Sequence, residues 1–307
     1  MGEMLDHKSD CWFLKPWFVS NFVLGGKLGD ICQMTAAFHE IYRITGLKPN
    51  VVTSSEFSSI YDGTSYVNPV SVPGHWYTEL TKMKAIAGVR FGDAVGLQVW
   101  QDTHSPEFQS ARFQGGMVLQ SHGMNFAVDM SKDPHYGASM MRRAGFSWDE
   151  ALKLRPVFDR RNRNREAELL AKLWPNPLRK KPLLLITFDG QSSPWGHLPE
   201  AYPVLSPFYR HFHVVDLGKL HCHRVFDMLG LMEVATGAIV IDTLALHMLA
   251  ATNTPYIAFT QDGWTGSVPK GNCALEIKYS QSLQRLREIP AVLEKWCGNP
   301  SLVPVLA

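Results

Sequence analysis

The stretch AIVIDTLALHMLAATNTPYIAFT, residues 238–260, reads as strand, helix and strand in immediate succession. AIVI is a short apolar run rich in β-branched residues, the pattern of a buried parallel strand. Asp242 and Thr243 close it, LALHMLAATN opens a helix, and TPYIAFT returns to a strand. The start of the chain repeats the theme. FVSNFVL (residues 18–24) is a β-type run that stops at Gly25-Gly26, and the turn GGKLGD ends on Asp30. After it, Ile31, Met34, Phe38, Ile41 and Tyr42 are spaced to form one helical face, and Gly46 is positioned as a C-cap. KPNVVTSS then supplies another short strand. Strand, loop, helix, strand is how a parallel sheet with helical crossovers begins.

Working outward, LLLITF (residues 183–188) is a strand, DGQSSPWGHLP a loop, and EAYPVLSPFYRHF a helix interrupted by Pro203 and Pro207. HVVDLG is a strand and VFDMLGLMEVATG a helix. Strands alternating with helices at these lengths predict a doubly wound parallel sheet. From about Asp62 to His135 short β-like pieces such as VGLQVWQD and GGMVLQSH predict further strands and long loops. YGASMMRRAGF reads as a helix, followed by one capped by Ser147 with Glu150 at the capping-box distance. RRNRNREAELLAK is a charged helix start, and the three prolines of WPNPLRKKP break the pattern after it. The boundary is placed near residue 165, giving two Rossmann-like α/β domains, 1–165 and 166–307, facing across a cleft. LQRLREIPAVLEKW is a terminal helix, with packing back onto the other domain as one option.

At 307 residues, 45% hydrophobic and 19% charged, the chain has the balance of a globular protein rather than a disordered one. A net charge of +2 makes no case for a nucleic-acid or membrane binder. No apolar stretch approaches the ~20 residues of a membrane span, and the N-terminus lacks the basic start and apolar core of a signal peptide. The five scattered cysteines show no CxxC spacing and read as reduced thiols, so a cytoplasmic location is expected. Oligomeric state is open.

Ligands of open parallel sheets bind outside the carboxyl ends of the strands. Thr243 and the helix amides behind it suit a pyrophosphate, and Asp242 suits a sugar or ribose hydroxyl; either residue is equally an N-cap. His247, five positions after Asp242, faces either the cleft or the helix core, with the core favoured. Gln191, Ser192 and Ser193 of the DGQSSPWG loop offer uncharged donors to a diphosphate, and the same residues suit a plain turn. Asp30 is the candidate general base for an attacking hydroxyl, with Lys27 and Gly29 beside it as phosphate or acceptor contacts; the alternative is that Asp30 caps a helix beginning at Ile31. His211, His213, His221, Cys222 and His223 are metal-ligand types without a zinc spacing, so no metal is expected. The basic clusters Arg160–Arg165 and Arg179–Lys181 read as a solvated interdomain surface or, alternatively, an anionic acceptor track.

With these residues in place, the chain resembles the ADP-heptose:lipopolysaccharide heptosyltransferases, which are GT-B glycosyltransferases. Their signature Asp-Ser/Thr-Gly/Ala-x-x-His-Met/Leu-Ala-x-Ala is matched by DTLALHMLAA at Asp242, Thr243, His247, Met248 and Ala251. The early LGD also looks like theirs, where the Asp is the proposed base, here Asp30. The resemblance covers roughly residues 20–55 and 183–265. Leu244 stands where the family prefers a small residue, and the DGQSSPWG loop has no lysine where relatives often place one. The resemblance implies an inverting glycosyltransferase with a nucleotide-diphosphate sugar as co-substrate and no other cofactor. The acceptor is expected to be a glycan such as lipopolysaccharide core, or a hydroxymethylated base in DNA. A non-catalytic nucleotide-binding protein on the same fold is the alternative.

Overall fold

The structure, a computed structural model, describes residues 21–24, 28–72, 95–98, 146–190, 194–262 and 272–298. The chain divides into two compact units, Met1–Arg160 and Arg161–Ala307. The change of unit falls on one peptide bond whose two sides are held separately. The Arg160 N–H donates to Gly63 O, whereas the Arg161 guanidinium is bonded to Glu166 and Glu233.

The first unit contains β1 (Asn21–Leu24), α1 (Leu28–Thr45), β2 (Asn50–Ser54), β3 (Asn68–Val72) and β4 (Val95–Gln98), with a short helix α2 (Trp148–Ala151) near its end. Its strands are all parallel, in the order β3-β2-β1-β4. The expected face of α1 is buried at Ile31, Met34, Phe38 and Ile41, but so are Cys32, Gln33 and Thr35, so burial runs round the helix rather than along one stripe. Gly46 ends it in the left-handed region (φ 70°), with its N–H on Tyr42 O at 2.8 Å, as a C-cap glycine does. Ser147 and Glu150 form the expected capping box at α2, the hydroxyl and carboxylate 2.7 Å apart. The YGASMM segment and GGMVLQSH lie outside the described residues.

The second unit runs α3 (Arg163–Leu173), β5 (Leu183–Thr187), α4 (Leu198–Tyr209), β6 (His213–Asp216), α5 (Leu229–Val234), β7 (Gly237–Ile241), α6 (Leu244–Leu249), β8 (Tyr256–Thr260), β9 (Cys273–Lys278), α7 (Ser282–Arg285) and α8 (Ile289–Cys297). The strands are again all parallel, in the order β6-β5-β7-β8-β9. Alternate strand residues Ile239, Ile241, Ile257, Phe259 and Ile277 pack with Leu205 and Phe208 of α4 and Ile289 and Leu293 of α8. The terminal helix thus seals one face of its own unit's sheet. Despite Pro203 and Pro207, α4 is one helix. Pro199, Pro203 and Pro207 recur every fourth residue, which keeps their missing donors on one stripe, while Ala201, Leu205 and Phe208 bury the other face.

Candidate functional site

Among the described strands the order of each sheet reverses at one point, and in open parallel sheets ligands bind outside the carboxyl ends at such a point. In the first unit the reversal lies between β1 and β4; in the second it lies between β5 and β7. The residues leaving these strands are therefore the ones to inspect.

β7 is buried along its whole length and delivers Asp242 at its carboxyl end. The Asp242 side chain is 14% exposed, and its Oδ1 lies 3.6 Å from His247 Nε2. His247 is buried in α6, so it is a core histidine that is also turned toward the strand end. Thr243 occupies the N-cap position of α6 but makes no capping bond. Its hydroxyl donates instead to Ile241 O at 3.4 Å. At six residues, under two turns, α6 is short, so its amides offer less than the helix dipole expected from sequence. The burden at this edge shifts to side chains.

Two features of this edge were absent from the sequence reading, and one of them meets Asp242. Tyr279 follows β9, and its phenol is pushed above its ordinary pKa by burial and by the Asp242 carboxylate, partly offset by the Asp242 backbone N–H. Trp195 is buried, stacks on Phe259 with ring centroids 4.1 Å apart and on Phe188 at 5.5 Å, and donates from Nε1 to Ser282 Oγ at 3.1 Å. These three rings cross the face of β7 from β5 to β8, so the far end of the DGQSSPWG loop is anchored rather than a free turn. Gln191, Ser192 and Ser193 lie outside the described residues. Thr187 ends β5 and is buried, while Asp216 ends β6 and accepts from Gly218 N–H at 3.0 Å. A Cβ on Gly218 would stand 3.3 Å from Asp216 Oδ1 and 3.5 Å from Thr187 Oγ1, so glycine lets this turn close tightly.

Further along the edge, the ladders pair Ile241 with Phe259 and Thr260 with Lys278. One step beyond the first pair, Asp242 comes beside Thr260. Thr260 is fully buried and donates to Glu276 Oε1 at 3.0 Å, while Lys278 Nζ donates to both Thr260 Oγ1 at 2.9 Å and Glu276 Oε1 at 2.6 Å. The sequence signal for this group was the alternation of CALEIK, which marks a strand with one polar face.

In the first unit, α1 begins at Leu28, two residues before Asp30. Asp30 is therefore a half-buried residue of the first turn, not the cap of a helix starting at Ile31, and Gly29 precedes it within the same turn. Lys27 lies outside the described residues.

The remaining candidates find local partners. His213 Nε2 lies 2.6 Å from Leu173 O, His211 Nε2 accepts from Arg210, and His223 Nδ1 lies 2.9 Å from Arg165 Nη1. Among the described residues no group of three or more His, Cys, Asp or Glu is arranged to hold a metal ion. The basic run at 160–165 is not a uniformly solvated face. Glu166, 3% exposed, accepts two bonds from Arg161 at 2.7 Å and one from Arg163 at 3.1 Å. Among the described residues no helix is long and apolar enough to cross a membrane, and Cys32, Cys222, Cys273 and Cys297 are free thiols.

No protein-family model matches the chain, and no curated protein sequence matches it. Solved structures do match, across both units. A glycosyl transferase family 9 protein from Veillonella parvula aligns with TM-score 0.57 and 10% identity, covering 88% of this chain and 89% of that one. The E. coli ADP-heptose lps heptosyltransferase II aligns with TM-score 0.56 and 14% identity, covering 90% and 98%. E. coli heptosyltransferase WaaC with ADP gives TM-score 0.53 and 14% identity, covering 90% and 99%. At these identities the likeness is one of fold: the chain has the paired Rossmann-like, GT-B architecture of the heptosyltransferases.

Proposed function

We propose that the chain is an inverting glycosyltransferase that takes a sugar from a nucleotide-diphosphate donor held at the carboxyl edge of the second unit. One observation carries the reading: DTLALHMLAA, the signature shared with heptosyltransferases, sits at the strand-order reversal of a sheet whose fold matches theirs. Asp242 accepts hydroxyls of the sugar or ribose, with His247 and Tyr279 fixing its orientation, and Thr243 contacts the diphosphate. Gln191, Ser192 and Ser193 are assigned to the phosphates as well. Asp216, closing the strand beside β5, is placed as acids that bind ribose are.

Asp30 of the first unit is the general base. As the acceptor oxygen attacks the anomeric carbon, its proton passes to the carboxylate. The bond between that carbon and the diphosphate oxygen breaks from the opposite face, which inverts the configuration. The departing diphosphate needs nearby donors and positive potential. Because one structural neighbour was solved with ADP, adenine nucleotides are the first donors to test. A glycan acceptor is favoured over a hydroxymethylated base in DNA because the net charge of +2 supplies little attraction for a phosphate backbone. The free cysteines agree with action in the cytoplasm.

The test is Asp30→Asn assayed for transfer and for nucleotide binding. Loss of a general base lowers kcat by roughly 10²–10⁴-fold, and nucleotide affinity should stay at the wild-type value. Full retention of transfer would remove Asp30 from the reaction. Nucleotide binding with no transfer to any acceptor in the wild type would favour a non-catalytic nucleotide-binding protein.

A further inference from the structure

The departing diphosphate calls for a cation, and the DGQSSPWG loop holds none. Two lysines stand at the described carboxyl ends of the second sheet. Lys219, after β6, is 78% exposed and pairs with Asp216 at 3.4 Å. Lys278 closes β9, is 25% exposed, and its ammonium is fixed between Thr260 Oγ1 and Glu276 Oε1. Asp242, Thr260 and Lys278 follow one another across neighbouring strands, so at ~4.8 Å per strand Lys278 and Asp242 are about 10 Å apart along the edge. That span suits a ligand with its sugar or ribose hydroxyls on Asp242 and its phosphates beyond the end of β8. Tyr279, the residue after Lys278, touches Asp242 and ties the end of β9 to the same edge.

We infer that Lys278 is the phosphate-binding cation of the donor site, supplied by the outer strand β9 and positioned by Thr260 and Glu276. This rests on the donor site proposed above. A lysine held by a buried hydroxyl has lost much of its rotamer freedom before the ligand arrives, which lowers the cost of binding. Glu276 holds the ammonium in place and also competes with the phosphates for it. Because the Thr260 hydroxyl holds the ammonium without it, competition is the larger part of Glu276, and the two neighbours have opposite net effects on affinity.

The experiment titrates the full chain calorimetrically with ADP, GDP, UDP and CDP and with the matching monophosphates. The wild type should prefer one diphosphate over its monophosphate. Lys278→Met should weaken that diphosphate about tenfold and leave the monophosphate unchanged, as expected for the loss of one charge-assisted contact to the outer phosphate. Lys278→Arg should recover most of the loss, and Glu276→Gln should tighten the diphosphate. An unchanged diphosphate-to-monophosphate ratio in Lys278→Met overturns the inference and leaves Lys278 as a charge guarding an outer strand. Should Lys278→Met fail to fold, unchanged diphosphate affinity in Glu276→Gln overturns it instead. If no nucleotide binds the wild type, the donor site itself falls, and this assignment with it.

Discussion

Thr243 shows how a residue's part can be separated from its position. Its type and place at the start of α6 suit an N-cap, and a lost cap costs about 1 kcal/mol. Yet the hydroxyl makes no capping bond and reaches only Ile241 O at 3.4 Å. Thr243→Ala should therefore cost well under ~1 kcal/mol in denaturant unfolding while weakening nucleotide binding. A full cap-sized loss with unchanged binding would return Thr243 to a purely structural part. At this scale the sequence was legible where chemistry and position coincide, as at Asp242. It was not legible for His247, because burial and an approach to a carboxylate are not exclusive and only coordinates show both. Tyr279 and Trp195 were missed because each acts across the sheet. Nothing near Tyr279 in the chain announces Asp242, nor anything near Trp195 Phe259.

The elements themselves were largely readable, since α1, β5 to β8 and the repeated helix–strand cycle follow from apolar periodicity. The strand β9 was passed over because CALEIK has no continuous apolar run like those of β5, β7 and β8, although its alternation is that of a half-buried strand. Packing between elements sets two expectations. β7 passes under α8 at Gly237, where an added Cβ would stand 2.3 Å from Trp296 Cε3. Gly237→Ala forces the indole or the strand to move, at roughly 1–3 kcal/mol for overpacking, and thermal unfolding should show it as a lowered Tm; an unchanged Tm would mean the indole moves freely. The second expectation concerns α3 and α5, joined by Arg161, Arg163, Glu166 and Glu233. The Arg161 hydrogen bond, ahead of the opposing cost of burial, holds the Glu233 carboxyl below its ordinary 4.5. The folded state thus binds this proton less readily than the unfolded one. Its contribution is complete above about pH 4.5 and drains away as pH falls through the lowered value. Comparing unfolding free energies of wild type and Glu233→Gln across pH 3–7 checks the sign, since the gap between them should narrow on acidification.

For the molecule as a whole, the described strands form two all-parallel sheets, each with a reversal of strand order, and their carboxyl edges are where chemistry is placed. Sequence reasoning found both edges because an Asp lies where each strand gives way to a helix, Asp30 in the first turn of α1 and Asp242 at the end of β7. It gave them different parts, the Asp-Thr turn to the donor and the Gly-Asp turn to the base, on the strength of the late signature. Around Asp242 lie His247, Tyr279, Thr260 and Lys278, drawn from three strands and the segments that follow them. A ligand that bridges separate strands lowers their local opening, and amide exchange reads this as slowed deuteration. Hydrogen exchange with a saturating nucleoside diphosphate should therefore protect residues 187–190, 242–247 and 276–280 together, with α1 unaffected. Protection confined to α1 would move the nucleotide to the first unit and exchange the proposed parts of Asp30 and Asp242. Protection at 242–247 without 276–280 would keep the donor site but detach β9, and Lys278 with it, from the phosphates.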